Sequence, residues 1–124
     1  MKTSELQGAA LDWAVAKCEG VTVLPKMRGG CYVTLDKGET VLLCYSTDWA
    51  QGGPIIERES VTVTDTTWMG AGGQYAWSGY LPINEYKECE EHGPTPLIAA
   101  MRCYVASKLG DEVEIPEELQ GESK

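Results

Sequence analysis

The segment GPTPLIAAMRCYVASKLG, residues 93–110, decides the fold, because it carries the strongest helical pattern in the chain. Thr95 is the predicted N-cap, Pro96 fits the first helical position, and Gly110 ends the helix. Apolar side chains recur at helical spacing, at Leu97, Ile98, Met101, Val105 and Leu109. The segment therefore predicts a helix over residues 96–109 that is buried on most of its sides.

The remaining segments predict a sheet on which this helix can pack. Residues 5–18 have a broad apolar face and predict an N-terminal helix, with Ser4 and Gln7 as a capping box. Runs rich in β-branched and aromatic residues predict strands at 21–24, 31–35, 40–44, 61–65 and 74–78. Residues 54–59 predict a short middle helix, and the polar run before Gly93 is predicted as a surface loop.

These elements predict an α+β fold, an antiparallel sheet of about five strands with the N-terminal, C-terminal and short middle helices packed on it. A length of 124 residues with 43% hydrophobic and 23% charged residues is typical of one globular domain. We predict that this domain spans residues 1–110 and that residues 111–124 form an acidic tail. A charge run of this kind is most often a solvated segment.

Composition also limits the compartment and the chemistry. No apolar run approaches the roughly 20 residues needed to span a membrane, and Glu5 and Asp12 interrupt what would be a signal-peptide core. Five cysteines without a CxxC pair predict free thiols in a reducing cytoplasm. Cys89 and His92 offer two metal ligands without a second pair, so no metal site is predicted.

No residues are predicted to be catalytic. The single histidine, His92, lies in an acidic stretch without an orienting motif, and no paired carboxylates stand out from the acidic background. The glycine-rich phosphate-binding motifs GxxxxGK[ST] and GxGxxG are missing. The sequence therefore predicts a binding protein rather than an enzyme, with no cofactor.

The net charge of −9 bears on the partners. Binding to phosphate backbones needs clustered lysine and arginine, so direct nucleic-acid binding is not predicted. Two partners fit this charge, namely a basic protein surface, or a small ligand held by backbone donors. Membrane binding is not predicted, and the sequence leaves a homo-oligomer open.

One turn holds more special residues than a connector requires. YSTDWAQGGPIIERE, residues 45–59, combines hydroxyls, an aspartate, a tryptophan and a Gly-Gly-Pro helix start, which resembles the helix start at 93–97. Backbone N–H groups at helix starts bind anions without basic side chains. We predict a ligand site formed by Ser46, Thr47, Asp48, Trp49, Gln51, Gly52, Gly53, Pro54, Thr95, Pro96 and Arg102.

A structural interpretation competes with this one at each residue. Asp48 or Ser46 can simply cap a helix, Trp49 can fill the core, and Gly-Pro pairs commonly mark helix starts. The two interpretations differ in whether Trp49 lies at the surface of a cavity or inside the core.

Two stretches of the chain resemble a known phage family. STDWAQGGPIIERE and GPTPLIAAMRCYVASKLGDEVEIPEEL are similar to the phage NinX family, small accessory proteins of lambda-like phages. The resemblance runs from ELQGAALDWAVAKCEG to the closing IPEEL. More loosely, the YSTD turn before a helix and the late Pro-Leu-Ile-Ala-Ala helix look like phage α-β-α sandwich domains. The resemblance implies this fold and a role in the host cytoplasm, but no activity.

Three functional hypotheses follow. The first is a non-catalytic phage accessory protein that binds a small nucleotide-like ligand and thereby sequesters a host antiphage defence signal. The second is an acidic interaction protein that imitates the charge of DNA and inhibits a host nucleic-acid-binding enzyme. The third is a small nucleotide hydrolase, which would need a nucleophile or a metal that the sequence does not offer.

Overall fold

The structure, a computed structural model, describes residues 1–21, 24–25, 31–34 and 40–115. Within these residues the helices are α1 (Gly8–Cys18), α2 (Trp49–Glu59) and α3 (Pro96–Leu109). The strands are β1 (Leu24–Pro25), β2 (Cys31–Thr34), β3 (Thr40–Leu43), β4 (Thr62–Asp65), β5 (Trp77–Pro82) and β6 (Glu88–Gly93). The α+β class is confirmed. Residues 22–23 and 35 of the predicted strands, and residues 116–124 of the predicted tail, lie outside the described residues.

The strands form two antiparallel sheets, with the orders β1-β2-β3 and β4-β5-β6. The prediction of one sheet of about five strands is wrong. Strand β6, predicted as a loop, pairs with β5 along its whole length. The sequence of β6 shows little alternation between apolar and polar residues. The residues that face α3 are Cys89, Glu91 and Gly93, which are hardly more apolar than those on the outer face.

Helix α3 has the predicted bounds and the predicted cap, and it is the centre of the core. It contacts all three strands of the second sheet as well as α1 and α2, while α1 also contacts β2 and β3. Helices α1 and α3 therefore lie between the two sheets, which differs from the predicted sandwich with helices around one sheet. The buried residues of α3 include Leu97, Met101 and Val105, as predicted.

Two glycines allow α3 to approach the second sheet closely. A Cβ atom on Gly79 of β5 would lie 2.7 Å from the Ala99 carbonyl oxygen, and one on Gly93 of β6 would lie 2.7 Å from the Ala99 nitrogen. Both contacts are to backbone, which cannot turn aside as a side chain can. The helix and the sheet are therefore packed as closely as their main chains permit.

The N-terminus differs from its prediction. Residues Thr3–Glu5 form a 3₁₀ turn, and α1 begins at Gly8 with Gln7 as an N-cap whose side chain makes no capping bond. The predicted Ser4–Gln7 capping box is therefore wrong. Thr3 is instead buried, and its hydroxyl donates to the Gly110 carbonyl at 2.6 Å, so the first turn is tied to the end of α3.

Helix α2 begins at Trp49, five residues before the predicted start at Pro54. The Asp48 carboxylate accepts the Ala50 N–H at 2.9 Å and nucleates the helix earlier. Pro54 consequently lies inside the helix, where it cannot donate to the Ala50 carbonyl. Both residues are exposed, so water can satisfy that carbonyl, which explains why the helix continues.

The first residues after α3 belong to the packed domain. Val113 and Ile115 are buried in the core, and Val113 exchanges hydrogen bonds with Met1. The predicted domain boundary at residue 110 therefore does not coincide with the end of the packed structure. Cys18, Cys44, Cys89 and Cys103 are free thiols. Among the helices described, none has the length and apolar character needed to cross a bilayer.

Candidate functional site

The starts of α2 and α3 meet at one cavity, which we call the helix-start cavity. Its volume is about 210 Å³, and its lining residues are Ser46, Thr47, Trp49, Thr95, Leu97 and Ile98. Four of the predicted site residues therefore lie together, although they come from two distant segments.

Each helix start uses its capping side chain. Asp48 accepts the Ala50 N–H, and the Thr95 hydroxyl oxygen accepts the Ile98 N–H at 3.1 Å. Asp48 and Thr95 are thus helix caps, as the structural interpretation proposed. Pro96 has no N–H, and the Gln51 N–H bonds to the Asp48 carbonyl. Each helix start therefore keeps one initial N–H group for a ligand, on Trp49 and on Leu97, and both residues line the cavity.

Trp49 decides between the two interpretations of the turn. Its exposed fraction is 55%, so it does not fill the core. Thr47, two residues earlier, is also exposed, and both residues line the cavity. An indole ring at the edge of a cavity offers a flat apolar face to a ligand.

Ser46 is committed to the protein itself. It is 1% exposed, and both its N–H and its hydroxyl donate to Asp12 Oδ1 at 2.8 Å. Burial raises the pKa of Asp12 to about 6, although the hydrogen bonds from Ser46 oppose this shift. The Asp12–Ser46 pair therefore fixes α1 to the turn before α2.

The raised pKa makes this pair sensitive to pH. Because the folded state binds the Asp12 proton more tightly than the unfolded chain does, this proton stabilises the fold. The contribution is fully present below the unfolded pKa of 3.8, and it is lost as the pH rises through the folded pKa of about 6. Asp12→Asn cannot ionise, so from about pH 4 to about pH 7 its free energy of unfolding should rise relative to wild type by up to about 3 kcal/mol. Urea titrations at both pH values measure the difference, and a difference that does not change with pH would contradict the assignment.

The other predicted residues of α2 have structural roles. The Gln51 side chain accepts the Cys44 N–H at 2.7 Å and donates to the Leu42 carbonyl at 3.2 Å. Gly52 is buried, and a Cβ atom there would collide with the Tyr45 carbonyl oxygen. Gly53 and Pro54 lie in the second turn of α2, so they are not at the helix start as predicted. Pro96 occupies the first position of α3.

Arg102 does not lie at the helix-start cavity. Its buried side chain donates from Nε to the Leu6 carbonyl at 2.7 Å and from Nη1 to the His92 carbonyl at 2.8 Å. Arg58, near the end of α2, pairs with Glu19 at 2.6 Å. Among the described residues, no charged side chain lines the helix-start cavity, so backbone donors would have to hold an anion there.

Arg102 instead lines a second cavity, of about 310 Å³, which we call the Arg102 cavity. Other lining residues include Ser4, Glu5, Tyr75, Glu91 and His92. Sequence reasoning missed this cavity because its residues come from four separate segments of the chain. A signal was present, since an arginine on an otherwise apolar helix is buried only where polar groups surround it.

The P22 phage NinX family model matches residues 2–108 of the chain, from the N-terminal turn nearly to the end of α3. The chain belongs to this family. Among functionally curated proteins, none shows significant similarity to it. Both cavities of this NinX protein lie within the matched range.

The NinX chain also shows why its Cys-Glu-Glu-His run is a poor metal site. The run lies in β6, where alternation places Cys89 and His92 on opposite faces of the sheet. In the described ranges, no three His, Cys, Asp or Glu side chains form a group that could hold a metal ion.

Proposed function

We propose that this chain is a non-catalytic phage accessory protein that binds a small nucleotide-like ligand in the helix-start cavity. The observation that supports the proposal is the convergence of two helix starts on one cavity with the exposed Trp49 at its edge. A nucleotide has a phosphate and a flat base, and these two features match the two kinds of group in the cavity.

Each part of the ligand has a binding group. The partial positive charge at the starts of α2 and α3 favours a phosphate. Such a site needs no patch of basic side chains, which suits a chain of net charge −9. The Trp49 ring can stack on a base. The Thr95 hydroxyl, whose oxygen accepts the Ile98 N–H, keeps its own hydrogen to donate.

Capture of a ligand without turnover suits a phage accessory protein. A protein that removes a host antiphage defence signal by stoichiometric binding in the host cytoplasm needs no catalytic residues and no cofactor. The binding free energy alone lowers the concentration of the free signal. The first test is native mass spectrometry of the protein purified from infected cells, where a co-purifying nucleotide supports the proposal.

The acidic-mimic hypothesis is the rival, and the outer face of the second sheet favours it. Glu88 and Glu90 are exposed there, and each accepts a hydrogen bond from a neighbouring hydroxyl, on Tyr80 and Ser78. Capture of a basic host protein would weaken strongly with salt. The Trp49→Ala variant would leave such capture unchanged.

Trp49→Ala tests the cavity directly. Adenosine 5′-monophosphate is the probe, and its dissociation constant is measured by isothermal titration calorimetry. We expect the variant to bind at least about fivefold more weakly, since base stacking contributes about 1–3 kcal/mol. The melting temperature should change little, because the side chain is 55% exposed.

Trp68→Ala is the matched control. Trp68 is 77% exposed and does not line either of the two cavities, so its loss should leave binding of the probe at the wild-type level. Equal binding by wild type and Trp49→Ala, or no binding of any nucleotide by the wild type, would refute the proposed site.

A further inference from the structure

The guanidinium of Arg102 has hydrogen-bonding capacity left over. Of its five N–H donors, one on Nε and one on Nη1 bond to the carbonyls of Leu6 and His92. Nη2 has no acceptor among the described residues. In the same part of the chain, every side-chain nitrogen or oxygen atom that is fully buried does have a hydrogen-bond partner. Nη2 is therefore not fully buried. The Arg102 side chain lines the Arg102 cavity, so this cavity is the place where a ligand can reach Nη2.

Among the residues described, the positive charge of Arg102 has no salt-bridge partner, although Glu91 is near enough to favour it. Within the described chain no carboxylate comes within salt-bridge distance of it, although the residue is only 1% exposed. Burial lowers the pKa of Arg102, which reports the cost of keeping this charge away from water. Glu91 offsets part of this cost, but among the described residues the guanidinium hydrogen-bonds only to carbonyls, so the site favours a ligand that brings a negative group.

Two carboxylates limit what that ligand can be. Glu5 and Glu91 line the same cavity. Burial and the nearby Asp111 raise the pKa of Glu91, while Arg102 and His92 lower it. A simple anion such as phosphate would meet Arg102 and also two like charges. A molecule with a negative and a positive group would satisfy both sides of the cavity.

We propose that the Arg102 cavity binds a small zwitterion of the α-amino acid type. The carboxylate accepts from Arg102 Nη2, and the ammonium group lies near Glu91 and Glu5. The side chain packs on Tyr75, which is 64% exposed and whose ring centroid lies 5.6 Å from that of His92. The volume of about 310 Å³ lies at the small end of ligand cavities, as an amino acid requires.

The inference goes beyond the nucleotide site, because the two cavities share no lining residue. The probes are the twenty standard L-amino acids, each tested with the full chain by saturation-transfer-difference NMR. The amino acid with the strongest signal is then titrated by calorimetry beside its N-acetyl derivative and its carboxamide. Both blocked forms should bind at least about tenfold more weakly, since each lacks one charged group.

Glu91→Gln supplies the matching change in the protein. It keeps the size of the side chain, and we expect it to weaken binding of the same amino acid by at least about tenfold while the melting temperature is retained. Glu90→Gln is the control, because the neighbouring residue lies on the opposite face of β6 and should bind as wild type.

Three results would overturn the proposal. One is that no standard amino acid binds at millimolar concentration. Another is that the N-acetyl derivative binds as tightly as the free amino acid, which would indicate a site for anions alone. The third is wild-type affinity in Glu91→Gln. None of these results affects the adenosine monophosphate experiment, so the failures of the two proposals can be told apart.

Discussion

Met101→Asp should leave the chain unfolded. Met101 has no exposed surface and lies in the middle of α3, the helix that both α1 and the second sheet pack against. An aspartate there would be a buried charge without a partner, at a cost of more than about 4 kcal/mol, which is comparable to the whole stability of many domains.

Far-ultraviolet circular dichroism and a thermal melt test this expectation. Met101→Leu is the control, because it changes shape but not polarity and should cost less than about 1.5 kcal/mol. A cooperative melt of Met101→Asp close to that of the wild type would show that α3 is not buried as described.

Gly79→Val should be nearly as disruptive, for a steric reason. The first added carbon would lie 2.7 Å from the Ala99 carbonyl oxygen and 3.0 Å from the Ala99 carbonyl carbon, so α3 and β5 would have to separate. Moving two main chains apart in the core should cost at least about 3 kcal/mol. Urea titration monitored by circular dichroism measures this loss.

Gly53→Ala is the matched control for a glycine without this restriction. A Cβ atom there would lie 3.7 Å from a Trp49 ring carbon, which is ordinary contact, and the residue lies inside α2. We expect a gain of about 0.5–1 kcal/mol, because alanine lowers the entropy of the unfolded chain. If Gly79→Val were tolerated as well as Gly53→Ala, the close packing of α3 on β5 would be refuted.

Much of the candidate site could be predicted, and the errors have a common origin. Four of the six residues that line the helix-start cavity were predicted, although the Gly-Gly-Pro start that suggested the site lies inside α2. The sequence did not show that Ser46 is committed to Asp12 or that Arg102 lies at another cavity, because each depends on a contact between distant segments. The early start of α2 was missed for a local reason, since Pro54 was given more weight than the cap at Asp48.

The sequence by itself determined the family, the α+β class and the bounds of α3, because these depend on patterns within a few residues. An N-cap, a proline at the first helical position and the periodic spacing of apolar residues are all local features, so the sequence alone is enough to recognise them. Only the tertiary structure decided the division into two sheets and the burial of Arg102. Strand pairing and burial are set by which distant residues fill a shared core, and β6, with a cysteine, a glutamate and a glycine facing that core, carries almost no local signal of its position.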